Sequence, residues 1–228
     1  MIQLPFADRT DAGRLLATEL LSHNLPANVV VLALPRGGLP VGLEVAKALG
    51  APLDVVIVRK LGVPWQPVLA MGAIASGSFQ TLDGELIRDL GISRDEIDAV
   101  VGRESAEIAR RERLYRKGRQ ALNLHGRTVL LVDDGLATGS TMLVAARYVR
   151  SLMPRKTLIA VPVASVQACQ RLRREADNCV CLATPEPFVA VGEWYADFRQ
   201  VTDTEVQRFL EQARLPDAAT TQSDLQKR

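Results

Sequence analysis

Aromatic side chains are scarce here: five Phe, two Trp and three Tyr supply 4% of a 228-residue chain that is 47% hydrophobic. A core assembled without them is one of Val, Leu, Ile and Ala, the composition that parallel strands covered on both faces favour. Cysteine is scarcer still, and the three present (Cys169, Cys179, Cys181) are too few and odd in number for a secreted disulfide framework. With His23 and His125 the only histidines, no ligand quartet has the spacing of a structural zinc site. An excess of one charge is also missing. The 28 Lys and Arg stand against 26 Asp and Glu, a net of +2, so no whole-molecule field holds a nucleic acid. No run approaches the roughly 20 apolar residues of a membrane span, and Met1–Leu15 carries acids where a secretory leader would be apolar. The apolar fraction excludes a wholly disordered chain. The expectation is a soluble cytoplasmic protein with no nucleic-acid or membrane partner.

What is present is an alternation of apolar strands with helices. Asp8–Asp11 opens a helical pattern with Ala12, Leu15, Leu16, Leu20 and Leu21 on one face. Val29–Leu34 reads as a buried strand, Gly38–Leu49 as a helix capped by Gly50, and Leu53–Val58 and Ala70–Ala75 as further strands, with a hairpin turn at Ser76-Gly-Ser78. Ser93 and Glu96 form a capping box ahead of a long helix to about Lys117, its apolar side marked by Ile97, Val100, Val101, Ile108 and Leu114. The Arg-rich latter half of that helix reads as a solvated face laced with i,i+4 pairs, with phosphate binding or subunit contact as the alternative. Strands follow at Thr128–Val132, Thr157–Val163 and Cys179–Ala183, helices at Ser140–Leu152 and Ser165–Glu175, and a short helix from Asp203 to about Arg214. Such alternation predicts an α/β fold with a mostly parallel sheet flanked by helices. Residues 1–215 read as a single domain with its core at about 26–185, and 216–228 as a polar, flexible tail.

The most informative stretch is Val129-Leu-Leu-Val-Asp-Asp-Gly-Leu-Ala-Thr-Gly-Ser-Thr141. A buried strand ends in two adjacent carboxylates, and a short Gly/Thr/Ser loop then opens a helix. Backbone N–H groups, hydroxyls and the helix dipole suit that loop to a phosphate monoester. Asp133 and Asp134 would repel the phosphate directly, so they fit a different part of the ligand, such as a vicinal diol. A phosphate on one side and a diol on the other describe a 5-phosphoribosyl group. The stretch lacks the P-loop lysine and is not G-x-G-x-x-G. Pro35-Arg-Gly-Gly38 also follows a core strand and opens a helix, giving a second anion site in which Arg36 can grip a diphosphate and Gly37 and Gly38 let the backbone approach. Val58-Arg-Lys-Leu-Gly62 places two cations past a further strand.

These residues resemble the type I phosphoribosyltransferase family, whose phosphoribosyl-diphosphate (PRPP) motif is matched along all of 129–141, the likeness extending from about Val29 to Tyr195. The resemblance implies a twisted, mostly parallel sheet with a small hood built from the N-terminal and 186–215 segments. It assigns Asp133 and Asp134 to the ribose hydroxyls as the catalytic acids, and Gly135, Ala137, Thr138, Gly139, Ser140 and Thr141 to the 5-phosphate. It assigns Arg36, Gly37 and Gly38 to the diphosphate, in a loop that in the family often holds a cis peptide, with Lys60 preferred over Arg59 beside them. A mobile lid is implied between Ser76 and Leu90, and the turn-rich Gly62–Pro67 can order over the substrate. Mg²⁺ is the implied cofactor, bound mainly through PRPP rather than by protein ligands, and a homodimer is the implied assembly.

One departure is Ala137, where 6-oxopurine members carry an acid placed to handle the base proton. The acceptor is therefore open. Four of the ten aromatics, Phe188, Trp194, Tyr195 and Phe198, crowd into eleven residues where the family places its acceptor-binding hood. Trp194 and Tyr195 are the candidates to stack on a heterocycle, with packing or dimer contact as the alternative and Phe188 and Phe198 expected to be structural. The implied reaction displaces diphosphate from the anomeric carbon by a nucleophile, usually a base nitrogen. The rival readings are a non-catalytic PRPP or nucleotide sensor on the same fold and a hydrolase of a phosphoribosyl compound.

Overall fold

The computed structural model describes residues 3–26 and 28–213. Its centre is a five-stranded, all-parallel sheet in the order β2-β1-β6-β7-β8, made of β1 (Val29–Ala33), β2 (Leu53–Val55), β6 (Thr128–Val132), β7 (Lys156–Val163) and β8 (Asn178–Ala183). Every residue of β1 and β6 is buried. Side chains alternate along a strand, so each buried strand feeds two cores at once. Val29, Val31, Leu130 and Val132 pack on one face beneath α1 (Arg9–Leu21), α2 (Gly38–Leu49), α4 (Arg94–Arg116) and α7 (Asp203–Gln212). Val30, Leu32, Val129 and Leu131 pack on the other beneath α5 (Ser140–Ser151) and α6 (Val166–Leu172). Each such side chain, fully buried, contributes about 1.5–3 kcal/mol, so aliphatic residues alone supply both layers.

Helix starts follow the expected chemistry. Asp8 caps α1 and Ser93 with Glu96 closes a capping box on α4, while Gly50 ends α2 at a φ of 58°. The face of α1 is a correction. Leu15 and Leu21 are exposed, and the buried stripe is Ala12, Gly13, Leu16, Ala17 and Leu20. Helices α1 and α2 approach too closely for large residues, since a Cβ on Gly13 would lie 3.0 Å from Val41 Cα.

The region after β2 also departs from expectation. Leu53–Val58 is not one strand: β2 stops at Val55, Val56 N–H makes a last bond to Ala33 O, and Val58 starts a different sheet. That sheet is antiparallel, β3 (Val58–Val63), β4 (Gln66–Ala75) and β5 (Phe79–Leu82), so the strand expected at Ala70 begins four residues earlier. The turn at Ser76–Ser78 does join a hairpin, with Gly77 at a φ of 68°. The segment expected to hold a lid contains β5 and α3 (Gly84–Asp89). Gly62–Pro67 forms the β3–β4 turn and carries the exposed Trp65. Helix α7 ends at Gln212 with Ala213 as its cap, so Arg214 and the tail fall outside the described residues. No helix among the described residues is long and apolar enough to cross a membrane.

Candidate active site

The carboxyl ends of β1 and β6 lie side by side, Ala33 opposite Val132, so the loops leaving them must meet. Leu34 N–H donates to Val132 O at 2.9 Å, and the Pro35–Arg36 peptide is cis. There is no room for side chains where the loops cross. A Cβ on Gly37 would lie 2.0 Å from Asp134 Oδ2, and one on Gly38 would lie 2.8 Å from Val132 O. The two glycines of the Pro35–Gly38 loop are thus required by the second loop, the close approach that glycine alone permits.

Beyond the acids the chain turns through Gly139, at a φ of 70°, into α5. Helix α6 braces this loop from behind: Ser165 Oγ donates to Ala137 O at 2.6 Å, Ser165 N–H to Leu136 O at 2.9 Å, and a Cβ on Gly139 would reach Leu172. The hydroxyls of Thr138 and Ser140 lie 3.2 Å apart. Residues 135–142, with Asp133 and Val191, line a cavity of about 230 Å³ at the start of α5, where free N–H groups and the helix dipole favour an anion.

The two acids have different surroundings. Asp134 Oδ2 accepts from Arg9 Nε at 2.7 Å, and both side chains are largely shielded from water. Arg9 Nη1 also donates to Arg199 O, and its guanidinium lies 3.8 Å from the ring centroid of Phe198. Asp133 forms no ion pair among the described residues. Its Oδ1 accepts from Asp134 N–H at 2.9 Å, and its carboxyl is pushed well up by burial, with the charge of Asp134 adding to the effect. Asp134 is raised by burial too, and Arg9 opposes that shift.

The cations divide as alternation along a strand requires. Arg59 turns to α4 and pairs with the buried Glu104 at 2.8 Å, so its charge is taken up there and not in the crevice assigned to it. Lys60, on the other face of β3, lines a cleft together with Ser140 and Thr141. Arg36 Nη1 lies 3.6 Å from Asp203 Oδ1, and that carboxylate accepts from the buried Tyr115 hydroxyl at 2.6 Å. Burial, then the bond to Asp203, push the Tyr115 phenol up to about 12.

A family model for the phosphoribosyl transferase domain matches residues 10–197. The chain belongs to the type I phosphoribosyltransferase family. A curated Mycobacterium tuberculosis protein named "Putative phosphoribosyl transferase Rv0571c" is 46% identical over 208 residues, 91% of this chain and 47% of that protein. Its counterpart in a second strain of M. tuberculosis matches equally. This phosphoribosyltransferase-family chain thus spans about half the length of the curated relatives it matches. The crystal structure of TT1426 from Thermus thermophilus superposes with a TM-score of 0.79 at 42% identity, covering 91% of this chain and 98% of that one.

In this family member the N-terminal segment pairs with the aromatic segment. Phe6 N–H donates to Trp194 O, and Ala196 N–H to Phe6 O. Tyr195 is a correction to its candidacy as a stacking shelf. It is 5% exposed, packs between Phe6 and Phe198, and donates its hydroxyl to Asp134 O at 2.5 Å. Its ring and its polar tip are both engaged in holding Asp134. Trp194 packs on Phe188 at 6.0 Å between centroids. Phe198, expected to be structural, carries the guanidinium that pairs Asp134. Arg9, Tyr115, Ser165 and Asp203 carry no local motif, and each meets the site only through the fold.

Proposed function

We propose that this chain transfers a 5-phosphoribosyl group from PRPP to an acceptor, most simply a nitrogenous base, with release of diphosphate. One observation carries the reading: the hydroxyl-lined loop cavity, the underpaired Asp133 and the glycine-tight Arg36 loop all meet at the ends of adjacent strands. Crevices at such strand ends are where open parallel sheets bind ligands. The loop cavity suits the 5-phosphate, Asp133 and Asp134 the ribose hydroxyls, and Arg36 the diphosphate, with Lys60 within the adjoining cleft.

The displacement develops positive charge on the ribose ring and negative charge on the departing diphosphate. Among the described residues Asp133 has no cation partner, so its carboxylate is free to face the ring, and partial shielding from water strengthens that interaction. Asp134, fixed by Arg9 and Tyr195, orients the sugar. Arg36 can release Asp203, 3.6 Å away, to take up the leaving group. The donors at this place are hard oxygens, a carboxylate with Thr138, Ser140 and Thr141 hydroxyls beside it, and that set fits Mg²⁺. Mg²⁺ would be held mainly through PRPP, with Asp133 and the loop hydroxyls as the protein oxygens nearest it, and would supply charge neutralisation of the diphosphate. A homodimer and a cytoplasmic location belong to the same proposal.

A PRPP-binding protein without turnover is the second reading, favoured by Ala137 and by the cation already seated on Asp134. Calorimetry with PRPP and Mg²⁺ should show one-to-one binding that Asp133→Asn/Asp134→Asn abolishes. Absence of binding to the wild type would end both readings. Diphosphate release on adding one of a panel of bases supports transfer. Release without any base identifies a hydrolase, and binding without release identifies the sensor.

A further inference from the structure

The three cysteines of the chain meet beneath α6, at the edge of the central sheet. Strand β8 is the edge strand, and Cys179 and Cys181, two residues apart, point to the same face of it. Helix α6 covers that face and buries its own Cys169 beside Cys179, with Cys181 half-buried at their margin. Val180, between the two, packs into the opposite layer. All three thiols are free. Cys181 Sγ donates to Ala183 O at 3.0 Å, which commits its proton to the strand. The Cys179 thiol donates to Cys169 Sγ instead. That bond, then the contact with Cys181, hold the Cys169 thiol well below the ordinary thiol range against the effect of burial, and the Arg173 guanidinium adds to them. Cys179 is pushed up by the same bond and by burial, so it keeps its proton. A thiolate beside a thiol is the arrangement disulfide chemistry needs, because the thiolate is the nucleophile.

We propose that Cys169 and Cys179 form an oxidisable dithiol, a site at which a peroxide closes a disulfide between α6 and β8. Cys169 Sγ attacks hydrogen peroxide, the O–O bond breaks, and the departing hydroxide takes the thiol's proton and leaves as water. Cys179 Sγ then attacks the sulfur of the resulting sulfenic acid. The S–O bond breaks, and its hydroxide leaves with the Cys179 proton as a second water. Two thiols are oxidised, one peroxide is reduced to two waters, and no further reactant enters. Access is through a seven-residue helix on an edge strand, the kind of element that opens locally at low cost. Closure draws the two sulfurs to about 2.0 Å, so α6 is pulled onto β8. Helix α6 is the brace of the phosphate loop: Ser165 caps it while donating to Ala137 O, and Ala168 and Leu172 stand against Gly139. Oxidation should therefore displace the loop and weaken its hold on an anion, a regulation that rests on the phosphoribosyl reading.

The test treats the reduced full chain with hydrogen peroxide and counts its thiols after denaturation. The count should fall from three to one and return in full with dithiothreitol. Peptide mapping of the wild type should link Cys169 to Cys179. Cys169→Ser and Cys179→Ser should each form no bridge, whereas Cys181→Ser should keep it. Amide hydrogen exchange over residues 135–142 should quicken in the oxidised protein. PRPP with Mg²⁺ should bind that form about tenfold more weakly, the loss of one well-placed hydrogen bond. The proposal is overturned if peroxide leaves all three thiols reduced, if dithiothreitol fails to restore them, if the bridge joins two chains, or if Cys181 takes the place of Cys179 in it. Unchanged exchange over the loop would overturn the coupling of the bridge to the site. Failure of PRPP to bind the reduced protein would defeat the phosphoribosyl reading, and the thiol count and the loop exchange would still decide this one.

Discussion

Two acids at different parts of the central sheet, one buried and one half-buried, show how this molecule separates structure from function. Asp54, on the edge strand β2, accepts from Val55 N–H at 2.7 Å, Arg116 Nε at 3.1 Å and Leu122 N–H at 3.2 Å. Arg116 is in turn held by Glu112 and Val55 O. Asp133, at the end of the central strand β6, accepts one backbone N–H and has a second acid as its neighbour. The first carboxylate is fully paired, and it ties the end of α4 to the sheet. The second is left short of partners in a place where burial works against its charge. That shortfall is what a cationic sugar ring or a metal-bound diphosphate can satisfy.

Breaking the satisfied cluster should give the largest effect on folding. Arg116→Ala leaves Asp54 buried without its cation, a change worth about 3–5 kcal/mol. Urea denaturation should show a lower midpoint at unchanged slope, and the folded protein should bind PRPP as before. A loss below about 1 kcal/mol, the range of a surface pair, would mean that Asp54 is not held as described.

At the other acid the sign reverses. Asp133→Asn keeps an oxygen to accept Asp134 N–H while removing the disfavoured charge. PRPP affinity should fall about 100-fold or more, near 2.8 kcal/mol. Thermal stability should rise, by about 2–4 °C for each kcal/mol gained in a domain of this size. The linkage follows from the direction of the shift. The folded state holds the Asp133 proton to higher pH than the unfolded chain, so stability falls as pH rises above the ordinary carboxylate value of 3.8. The variant's advantage should therefore grow from pH 4 towards neutrality, and a variant less stable than wild type at neutral pH would refute the assignment.

The same contrast explains what could be read from the chain beforehand. The loop at 129–141 makes its own site: strand, acids, glycine turn and helix start are consecutive, so type and spacing carry the chemistry. The mostly parallel sheet followed from apolar strands alternating with helices, and the two-faced core from aliphatic composition; the strand order did not. Tyr195 shows the limit. Its place in an aromatic cluster pointed to a stacking surface, but Phe6, nearly two hundred residues away in sequence, and the carbonyl of Asp134 enclose it. Arg59 was equally opaque, because its partner Glu104 sits on a helix whose charges read as solvated. The break after Val55 depended on how far β1 continues, and no feature of Leu53–Val58 itself encodes that.

The smallest effect is expected at an acid that is neither deeply buried nor short of partners. Glu205 accepts from Thr202 N–H at 2.9 Å and Arg199 Nη1 at 2.8 Å, which lowers its carboxyl from 4.5 to about 2. Here the folded state gives up the proton more readily than the unfolded chain. The stabilisation is present in full above the ordinary value and disappears as pH falls through about 2. Glu205→Gln should thus lose no more than about 1 kcal/mol at neutral pH, since the pair is close to solvent. The deficit should shrink towards zero between pH 4.5 and 2. Helix α7 also carries Asp203, so a modest rise in PRPP affinity should accompany any fraying that loosens Asp203 from Arg36. Plotted against pH, the two variants should differ from wild type in opposite directions at neutrality and converge on it in acid. Curves of the same sign would show that Asp133 is as well satisfied as Glu205, and the physical case for an underpaired acid at the end of β6 would fail.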